Sequence, residues 1–227
     1  MHYSGSHRSR LYPQKLPPLI GRLKYSTQLV SPAHKKVLVV GDSYGWYADF
    51  ALKNKATLVH SLDIALLAPV ISQLRKKHKN FAHFQESILD FKSPNRYDLC
   101  IFLEVIEHLP PNTESIALQT IFRHLNPNGV LLLSTPSQKI FSYFSDPAVF
   151  LGHRHYSEKK LDQLLRSAGF KKVKFTSGGG VYGAIDLLSL YFTKWILRRS
   201  YQSWLVKQVN SEYPLTGGNT LFAICLK

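Results

Sequence analysis

The chain has 227 residues, 44% of them hydrophobic and 12% aromatic, which is enough to bury a core and excludes a disordered chain. A formal net charge of +15 favours an anionic partner, such as nucleic acid, an anionic membrane surface or a phosphorylated substrate. Cys100 and Cys225 each lie in an apolar run, which predicts buried thiols in a reducing compartment and excludes a disulfide framework. No apolar stretch is long and unbroken enough for a bilayer span or a signal peptide. We therefore expect a cytoplasmic protein, with peripheral membrane contact as an alternative.

Residues 1–34 contain no acidic side chain and several basic ones, and prolines at 13, 17 and 18 discourage regular structure. We interpret this segment as a basic N-terminal arm that is either solvated or laid over the substrate side of the main domain. Residues 35–227 are assigned to that single domain.

Within this domain, short β-branched or apolar runs alternate with amphipathic segments. Alternation of this kind predicts an α/β fold, a doubly wound, seven-stranded and mostly parallel sheet with helices on both faces. In chain order, we expect strands at 37–40, 57–62, 81–84, 98–103, 130–134, 171–175 and 221–226, and helices at 47–54, 66–79, 113–125 and 157–168. Ser157 fits the N-cap of the last of these helices and Gly169 fits its C-terminal glycine position.

A helical insertion, at about 178–218, separates the sixth and seventh strands. It is rich in large apolar residues, and Lys194, Arg198 and Arg199 lie among or after them. Such a helix packs on the sheet or on a second copy, lies on an anionic membrane, or covers a lipid-like substrate.

The first strand ends in Gly41-Asp42-Ser43-Tyr44-Gly45, a glycine-bearing turn that opens a helix. Gly41 permits a tight turn, the small Ser43 lets a ligand approach the backbone, and Gly45 lets the helix pack close to the strand. Asp63 ends the second strand roughly 20 residues on, where a carboxylate binds ribose hydroxyls or caps a helix.

Four segments together resemble class I S-adenosylmethionine-dependent methyltransferases, including the ubiquinone-biosynthesis O-methyltransferases. A nicotinamide-dependent dehydrogenase is disfavoured because the fourth-strand segment has no role in it. The four segments are 36–45, 61–64, 97–109 with its Glu-Val-Ile-Glu-His-Leu run, and 125–136. With His155-Tyr156-Ser157 and the helix after it, the resemblance covers about residues 35–175.

This resemblance implies S-adenosylmethionine as cofactor and S-adenosylhomocysteine as product. It also implies which residues contact the cofactor. They are Gly41, Asp42, Ser43 and Gly45 at the methionine part, Asp63 at the ribose, Ile64, Glu86 and Ser87 at the adenine, and Leu103 and Glu104 at the methyl-transfer side.

Two positions depart from the family pattern. Val39 replaces the acidic residue usual two positions before the first motif glycine, and Ser43 replaces the middle glycine. Asp42 is a candidate replacement for the missing carboxylate. A catalytically decayed, methyltransferase-like binding subunit therefore stays open as an alternative.

Methyl transfer to a hydroxyl requires a general base, and histidine suits this role near neutral pH. His108 follows the fourth strand, and His153 and His155 lie in a stretch expected to return to the same edge of the sheet. We therefore expect O-methylation of a small-molecule, lipid-like or saccharide acceptor, with His108 or His155 as base. Each histidine is equally open to a structural role.

Glu104, Glu107 and His108 are also a candidate site for a divalent metal, because two carboxylates and an imidazole within one turn offer suitable ligands. The same residue pattern, with a later histidine, resembles that of the small-RNA 3′-terminal 2′-O-methyltransferases. A metal-assisted RNA 2′-O-methyltransferase is thus the second enzymatic interpretation of this basic chain.

Overall fold

A computed structural model describes residues 16, 19–42, 44–65, 69–139, 142, 152–199, 201–215 and 218–227. Ser43, residues 1–15, 17 and 18 of the basic arm, and the predicted start of the second helix at Leu66 lie outside these residues. Among the described helices, none is both long and apolar enough to cross a membrane.

The described residues contain a seven-stranded sheet in the order β3-β2-β1-β4-β5-β7-β6. The first five strands pair in parallel, and β7 runs antiparallel between β5 and β6. The predicted fold class is therefore confirmed. The strands are β1 Lys36–Val40, β2 Leu58–Leu62, β3 Phe81–Phe84, β4 Tyr97–Leu103, β5 Leu125–Pro136, β6 Lys172–Gly178 and β7 Thr220–Leu226.

Helices cover both faces of this sheet. Successive side chains of a strand point to opposite sides, and because those of the central strands are apolar on both sides, each face has an apolar core. Leu38 and Val40 of β1 join one apolar core with residues of the helices at 114–124 and 158–167, whereas Val37 and Val39 join a second core on the opposite face. The helices are α1 Arg22–Leu29, α2 Trp46–Lys53, α3 Pro69–Lys77, α4 Glu114–His124, α5 Glu158–Ser167, α6 Val181–Tyr191 and α7 Val206–Glu212, with a 3-10 turn at Ile106–His108 and a π-helical turn at Phe192–Ile196.

Local signals in the sequence place several element ends well. The Ser157 hydroxyl oxygen accepts a hydrogen bond from the Lys160 amide, which confirms the predicted N-cap of α5. Gly169 follows the C-cap with φ of 111°, as a C-terminal glycine does. The exception is β5, which begins at Leu125 instead of 130. Its pairing with β4 shifts register between Tyr97 and Leu99, so residues 126–129, which separate the predicted helix from the predicted strand, become part of the strand.

The end of the basic arm is helical and packs on the domain. Tyr25 of α1 lies against Tyr213 and Phe222, with ring centroids 5.7 and 5.3 Å away. The Tyr47 hydroxyl of α2 donates to the Ser26 carbonyl oxygen at 3.2 Å. Helix α1 is thereby held beside the carboxyl ends of the central strands.

Replacing Tyr25 tests this attachment. Tyr25→Ala removes both ring contacts, and we expect it to lower the free energy of unfolding by about 2 kcal/mol. Tyr25→Phe keeps the ring and loses only the hydroxyl contact with Thr176 at 3.2 Å, so a loss of about 1 kcal/mol or less is expected. Denaturant unfolding measures both. Equal losses for the two variants would contradict packing of α1 through this ring.

Candidate active site

The turn after β1 brings the backbone close to the loop that follows β4. Gly41 has φ of 78°, and a Cβ built there would lie 2.2 Å from Val105 Cγ2. The Gly45 amide closes the turn by donating to the Asp42 carbonyl oxygen at 2.8 Å. Both glycines have positive φ, and at Gly41 a side chain would displace the β4 loop.

Asp42 lies beneath the start of α2 instead of pointing outward. Its two carboxylate oxygens accept hydrogen bonds from the Tyr47 and Ala48 amides, each at 3.1 Å. The side chain is buried, and this burial raises the pKa of the Asp42 carboxyl to about 7 against the stabilising effect of those two amides. Asp42 therefore fixes the helix that begins at the turn, a role its place before a helix indicates.

At the end of β2, Asp63 is half-buried and its Oδ1 accepts a hydrogen bond from the Ala65 amide at 2.7 Å. The neighbouring Ile64 side chain is 76% exposed, so it presents an apolar surface beside this carboxylate. Past β3, Glu86 and Ser87 are half-buried, and Ser87 Oγ accepts from the Leu89 amide at 3.2 Å. The carboxyl ends of β1, β2 and β3 thus lie on one side of the point where the strand order reverses, between β1 and β4, and a doubly wound sheet has its ligand crevice at such a point.

Glu104 lies on the other side of the crevice, directly after Leu103, the last residue of β4. It has φ of 54°, and its Oε1 accepts a hydrogen bond from the Ser134 hydroxyl at 2.7 Å. Arg22 Nη1 of α1 lies 3.6 Å from its Oε2, and Glu104 is the main cause that raises the pKa of Arg22. Sequence reasoning missed this ion pair, because nothing local marks Arg22 among the basic residues of the arm.

Glu107 is almost completely buried in the 3-10 turn after β4, with 2% of its surface exposed. Its Oε2 accepts from the Thr135 hydroxyl at 3.1 Å, whereas its buried Oε1 has no hydrogen-bond partner among the described residues. Burial, and then the nearby Glu104, raise the pKa of the Glu107 carboxyl well above its ordinary range. A buried carboxyl oxygen in this state is a candidate for contact with a ligand.

Two histidines meet next to Glu107. His108 Nε2 and His153 Nε2 lie 3.2 Å apart. Tyr156 exchanges backbone hydrogen bonds with Pro136 and Gln138, and this pairing along the continuation of β5 returns His153 to the edge. Candidate ligand atoms of Glu107, His108 and His153 all lie within 4.8 Å of one another.

His155 and Glu104, the other two residues predicted for this region, lie outside this cluster. His155 Nδ1 donates to the Ser137 carbonyl oxygen at 2.8 Å, which places the lone pair of the neutral ring on Nε2. Glu104 is not among the three clustered residues, since Ser134 and Arg22 engage its carboxylate. The structure thus brings His153 together with Glu107 and His108, and the metal set of Glu104, Glu107 and His108 stays a prediction.

Arg154 holds the histidine stretch against the β4 loop. Its guanidinium donates to the carbonyl oxygens of Ile106 and Glu107, at 3.0 and 3.2 Å, and to that of Leu109. It also pairs with the largely buried Glu114, which accepts a hydrogen bond from the Tyr156 hydroxyl at 3.1 Å. One side chain therefore fixes the segments that carry His108 and His153, and no local pattern marks Arg154 beyond its place between two histidines.

Comparisons with known proteins find methyltransferases. A family model described as a methyltransferase domain matches residues 6–174. A probable S-adenosylmethionine-dependent methyltransferase from Mycolicibacterium smegmatis is 28% identical over 141 residues, which are 61% of this chain and 53% of the relative. This chain thus spans about half the length of that curated relative.

Two solved structures share the fold. One is the Burkholderia thailandensis 1,6-didemethyltoxoflavin-N1-methyltransferase with bound 1,6-didemethyltoxoflavin and S-adenosylhomocysteine, at 15% identity and a TM-score of 0.62, covering 90% of this chain and 77% of that one. The other is the N-methyltransferase NodS from Bradyrhizobium japonicum in complex with S-adenosylhomocysteine, at 16% identity and a TM-score of 0.59, covering 90% and 86%.

The raised pKa of Asp42 predicts a pH-dependent stability. As pH rises from about 4 to about 7, the unfolded chain loses this proton and the folded chain keeps it, so the free energy of unfolding falls. Asp42→Asn removes this contribution. Between pH 5 and pH 7 we expect the free energy of unfolding of the wild type to fall by about 2 kcal/mol more than that of the variant. This difference follows from about 1.4 kcal/mol for each pH unit over which one proton is bound only in the folded state.

Denaturant unfolding at both pH values measures this difference. Asp90→Asn, which removes an exposed carboxylate, is the control and should follow wild type. Parallel pH profiles for wild type and Asp42→Asn would show that the Asp42 carboxyl is already ionised at pH 5.

Proposed function

The chain belongs to the methyltransferase domain family, and from this membership we propose that it transfers a methyl group from S-adenosylmethionine to a hydroxyl oxygen of a small-molecule, lipid-like or saccharide acceptor. The observation that carries the proposal is a meeting of two groups of residues at the carboxyl ends of β1 and β4. A glycine turn with Asp63 lies on one side, and the cluster of Glu107, His108 and His153 lies on the other.

The residues on the β1 side suit the cofactor. The turn from Gly41 to Gly45 has positive φ at both glycines and leads into the N-terminus of α2, the place where a sheet of this kind binds its ligand. Asp63 accepts hydrogen bonds from the ribose hydroxyls, and the exposed Ile64 covers one face of the adenine. Glu86 and Ser87 lie at the adenine edge.

Asp42 and Glu104 contribute to the cofactor site indirectly, by positioning other elements. With both Asp42 oxygens bonded to α2, its contribution is to orient the helix N-terminus beneath the methionine part. Leu103 and Glu104 line the methyl-transfer side, where Glu104 holds Arg22 and closes α1 over the crevice.

The residues on the β4 side suit activation of a hydroxyl. When bound, S-adenosylmethionine supplies an electrophilic methyl group on a sulfonium sulfur. An alcohol oxygen attacks it well only as its proton leaves, and His108 or His153 accepts that proton when the acceptor hydroxyl displaces the contact between their Nε2 atoms. His155 offers the same nitrogen, since its Nδ1 donates to Ser137. The two solved relatives are N-methyltransferases by name, so oxygen as the acceptor atom rests on these imidazoles.

Calorimetric titration tests the cofactor site. We expect micromolar binding of S-adenosylmethionine and S-adenosylhomocysteine, weakened about tenfold or more by Asp63→Ala because the ribose loses its carboxylate partner. Asp162→Ala, which removes a carboxylate that pairs with Arg166 on α5, is the matched control and should bind as wild type does.

An acceptor screen that follows S-adenosylhomocysteine release completes this experiment. Absence of binding by the folded wild-type protein would contradict the enzymatic proposal and leave the decayed binding subunit in its place. Equal weakening by Asp63→Ala and Asp162→Ala would remove Asp63 from the cofactor site.

A metal-assisted methyltransferase is the second candidate, favoured by the convergence of Glu107, His108 and His153. The residues fit a divalent cation, because the buried Glu107 Oε1 has no other partner among the described residues and one carboxylate with two imidazoles suits Mn²⁺ or Zn²⁺ better than Mg²⁺. The ion would orient acceptor hydroxyls and polarise them. RNA is the acceptor class that the net charge of +15 favours in this case.

Metal titration separates this candidate from the first. If the cluster binds a cation, His108→Ala and His153→Ala each weaken Mn²⁺ or Zn²⁺ binding about tenfold or more, since each removes one ligand. His78→Ala, outside the cluster, should leave the affinity unchanged. Unchanged binding in both cluster variants, or equal losses with His78→Ala, would contradict a metal at these residues.

A further inference from the structure

Helix α6 and the π-helical turn that continues it expose a row of large apolar side chains. Val181, Ile185, Leu188, Phe192 and Ile196 are 55%, 40%, 42%, 57% and 67% exposed. They follow one another by four, three, four and four positions, the spacing that places side chains on one face of a helix. We name this row the apolar stripe.

The apolar stripe is separate from the cores of the domain. Among the described residues, no member of α6 belongs to either apolar core, and Ala184 is its one buried residue. Nine of the eleven large apolar side chains that are exposed in the described part of the chain lie between residues 181 and 215. A concentration of this kind marks an interaction surface, whereas single exposed apolar residues do not.

Polar contacts hold α6 to the domain. Glu212 of α7 accepts hydrogen bonds from the Tyr182 and Gly183 amides, each at 3.0 Å, and so caps the start of the helix. Asp186 accepts hydrogen bonds from the Tyr201 hydroxyl at 2.6 Å and from the Ser203 hydroxyl. The helix is thereby anchored at its N-terminus and along its length while the apolar stripe faces solvent.

Charges around the stripe favour an anionic surface. Arg198 and Arg199 follow the π-helical turn and are exposed, as is Lys207. Asp186 and Glu212 are the only acidic residues between 181 and 215, and both are engaged by the contacts just described. A second copy of the chain would carry the same net charge of +15, and repulsion between two such chains opposes self-association.

We propose that the apolar stripe, with Arg198 and Arg199, is a docking surface for a membrane that contains anionic phospholipids. The helix lies in the plane of the bilayer, its stripe enters the boundary between headgroups and acyl chains, and the two arginines contact lipid phosphates. The 16 residues from Val181 to Ile196 extend about 24 Å, enough to lie along the surface but not to span it.

This surface adjoins the crevice. Gly178 of β6 and Pro136 of β5 both pair with Thr220, so β6 ends at the same edge of the sheet as β5, and α6 starts three residues later. Docking would therefore place the bilayer beside the acceptor side of the site. The docking surface does not depend on the proposed methyl transfer, and either one can fail without the other.

Vesicle flotation of the full chain tests the proposal. Vesicles of phosphatidylcholine with a minor fraction of phosphatidylglycerol should carry wild-type protein, whereas vesicles of phosphatidylcholine alone should carry about tenfold less. Leu188→Asp combined with Phe192→Asp should lower the partition coefficient by about tenfold or more, because charges enter the stripe. Ile116→Asp, at an apolar side chain of α4 that is 48% exposed, is the matched control and should retain binding.

A charge reversal gives a second, independent variant. Arg198→Glu with Arg199→Glu should lower partition as strongly, whereas Lys159→Glu with Lys160→Glu makes the same charge change at exposed positions of α5 and should lower it only weakly. Circular dichroism and S-adenosylhomocysteine titration of each variant check folding and the cofactor site separately. Wild type that stays with the aqueous fraction would overturn the proposal. Equal losses in the control variants, or a solution dimer that the stripe variants dissociate, would also overturn it.

Discussion

A close contact between Gly41 and Val105 couples the two halves of the candidate site. The space for a Cβ at Gly41 is already occupied by the Val105 side chain, so the turn after β1 and the loop after β4 pack directly on each other. This contact is possible because β1 has β2 on one side and β4 on the other, and chains that leave such a pair of strands in opposite directions open a crevice at their carboxyl ends. A side chain at residue 41 would therefore strain the turn and force Val105 to move, so this glycine helps to keep the cofactor turn and the carboxyl–imidazole cluster in place.

Most carboxylates at this edge have specific hydrogen-bond or ion-pair partners, and these partners position the loops of the site. Asp42 is bonded by α2 amides, and Glu114 is bonded by Arg154 and Tyr156. Glu104 is bonded by Ser134 and Arg22, which ties the N-terminal helix to the end of β4. Because a buried charge without a partner is strongly destabilising, these pairs make the orientation of the loops part of the stability of the fold. Glu107 differs, since one of its buried oxygens lacks a partner among the described residues, and it lies where the acceptor or a cation is proposed.

Much of the fold could be predicted because its signals are local. The runs that form β1 to β4 are short, apolar and bounded by turn residues, and Ser157 and Gly169 mark the ends of α5 by chemistry that acts within one turn. Features that depend on distant partners could not be predicted. Arg22 meets Glu104 across 82 positions of sequence. The stretch around Arg154 is expected to return to this edge, but no local pattern identifies Ile106 and Glu114 as the partners of its guanidinium.

The candidate site divides in the same way. The positions of Gly41, Asp63 and Glu104 follow from where strands end, and all three lie at the carboxyl edge as expected. The partners of their side chains depend on tertiary packing, which is why Asp42 caps a helix and His153 joins Glu107 and His108 in place of Glu104. Hydrogen–deuterium exchange with and without S-adenosylhomocysteine tests the central claim, that one crevice joins these elements. Binding in such a crevice should protect the amides of residues 41–48, 62–65 and 103–108 together with those of α1. Binding that protects only other segments, or leaves the β4 loop unchanged, would contradict a shared crevice.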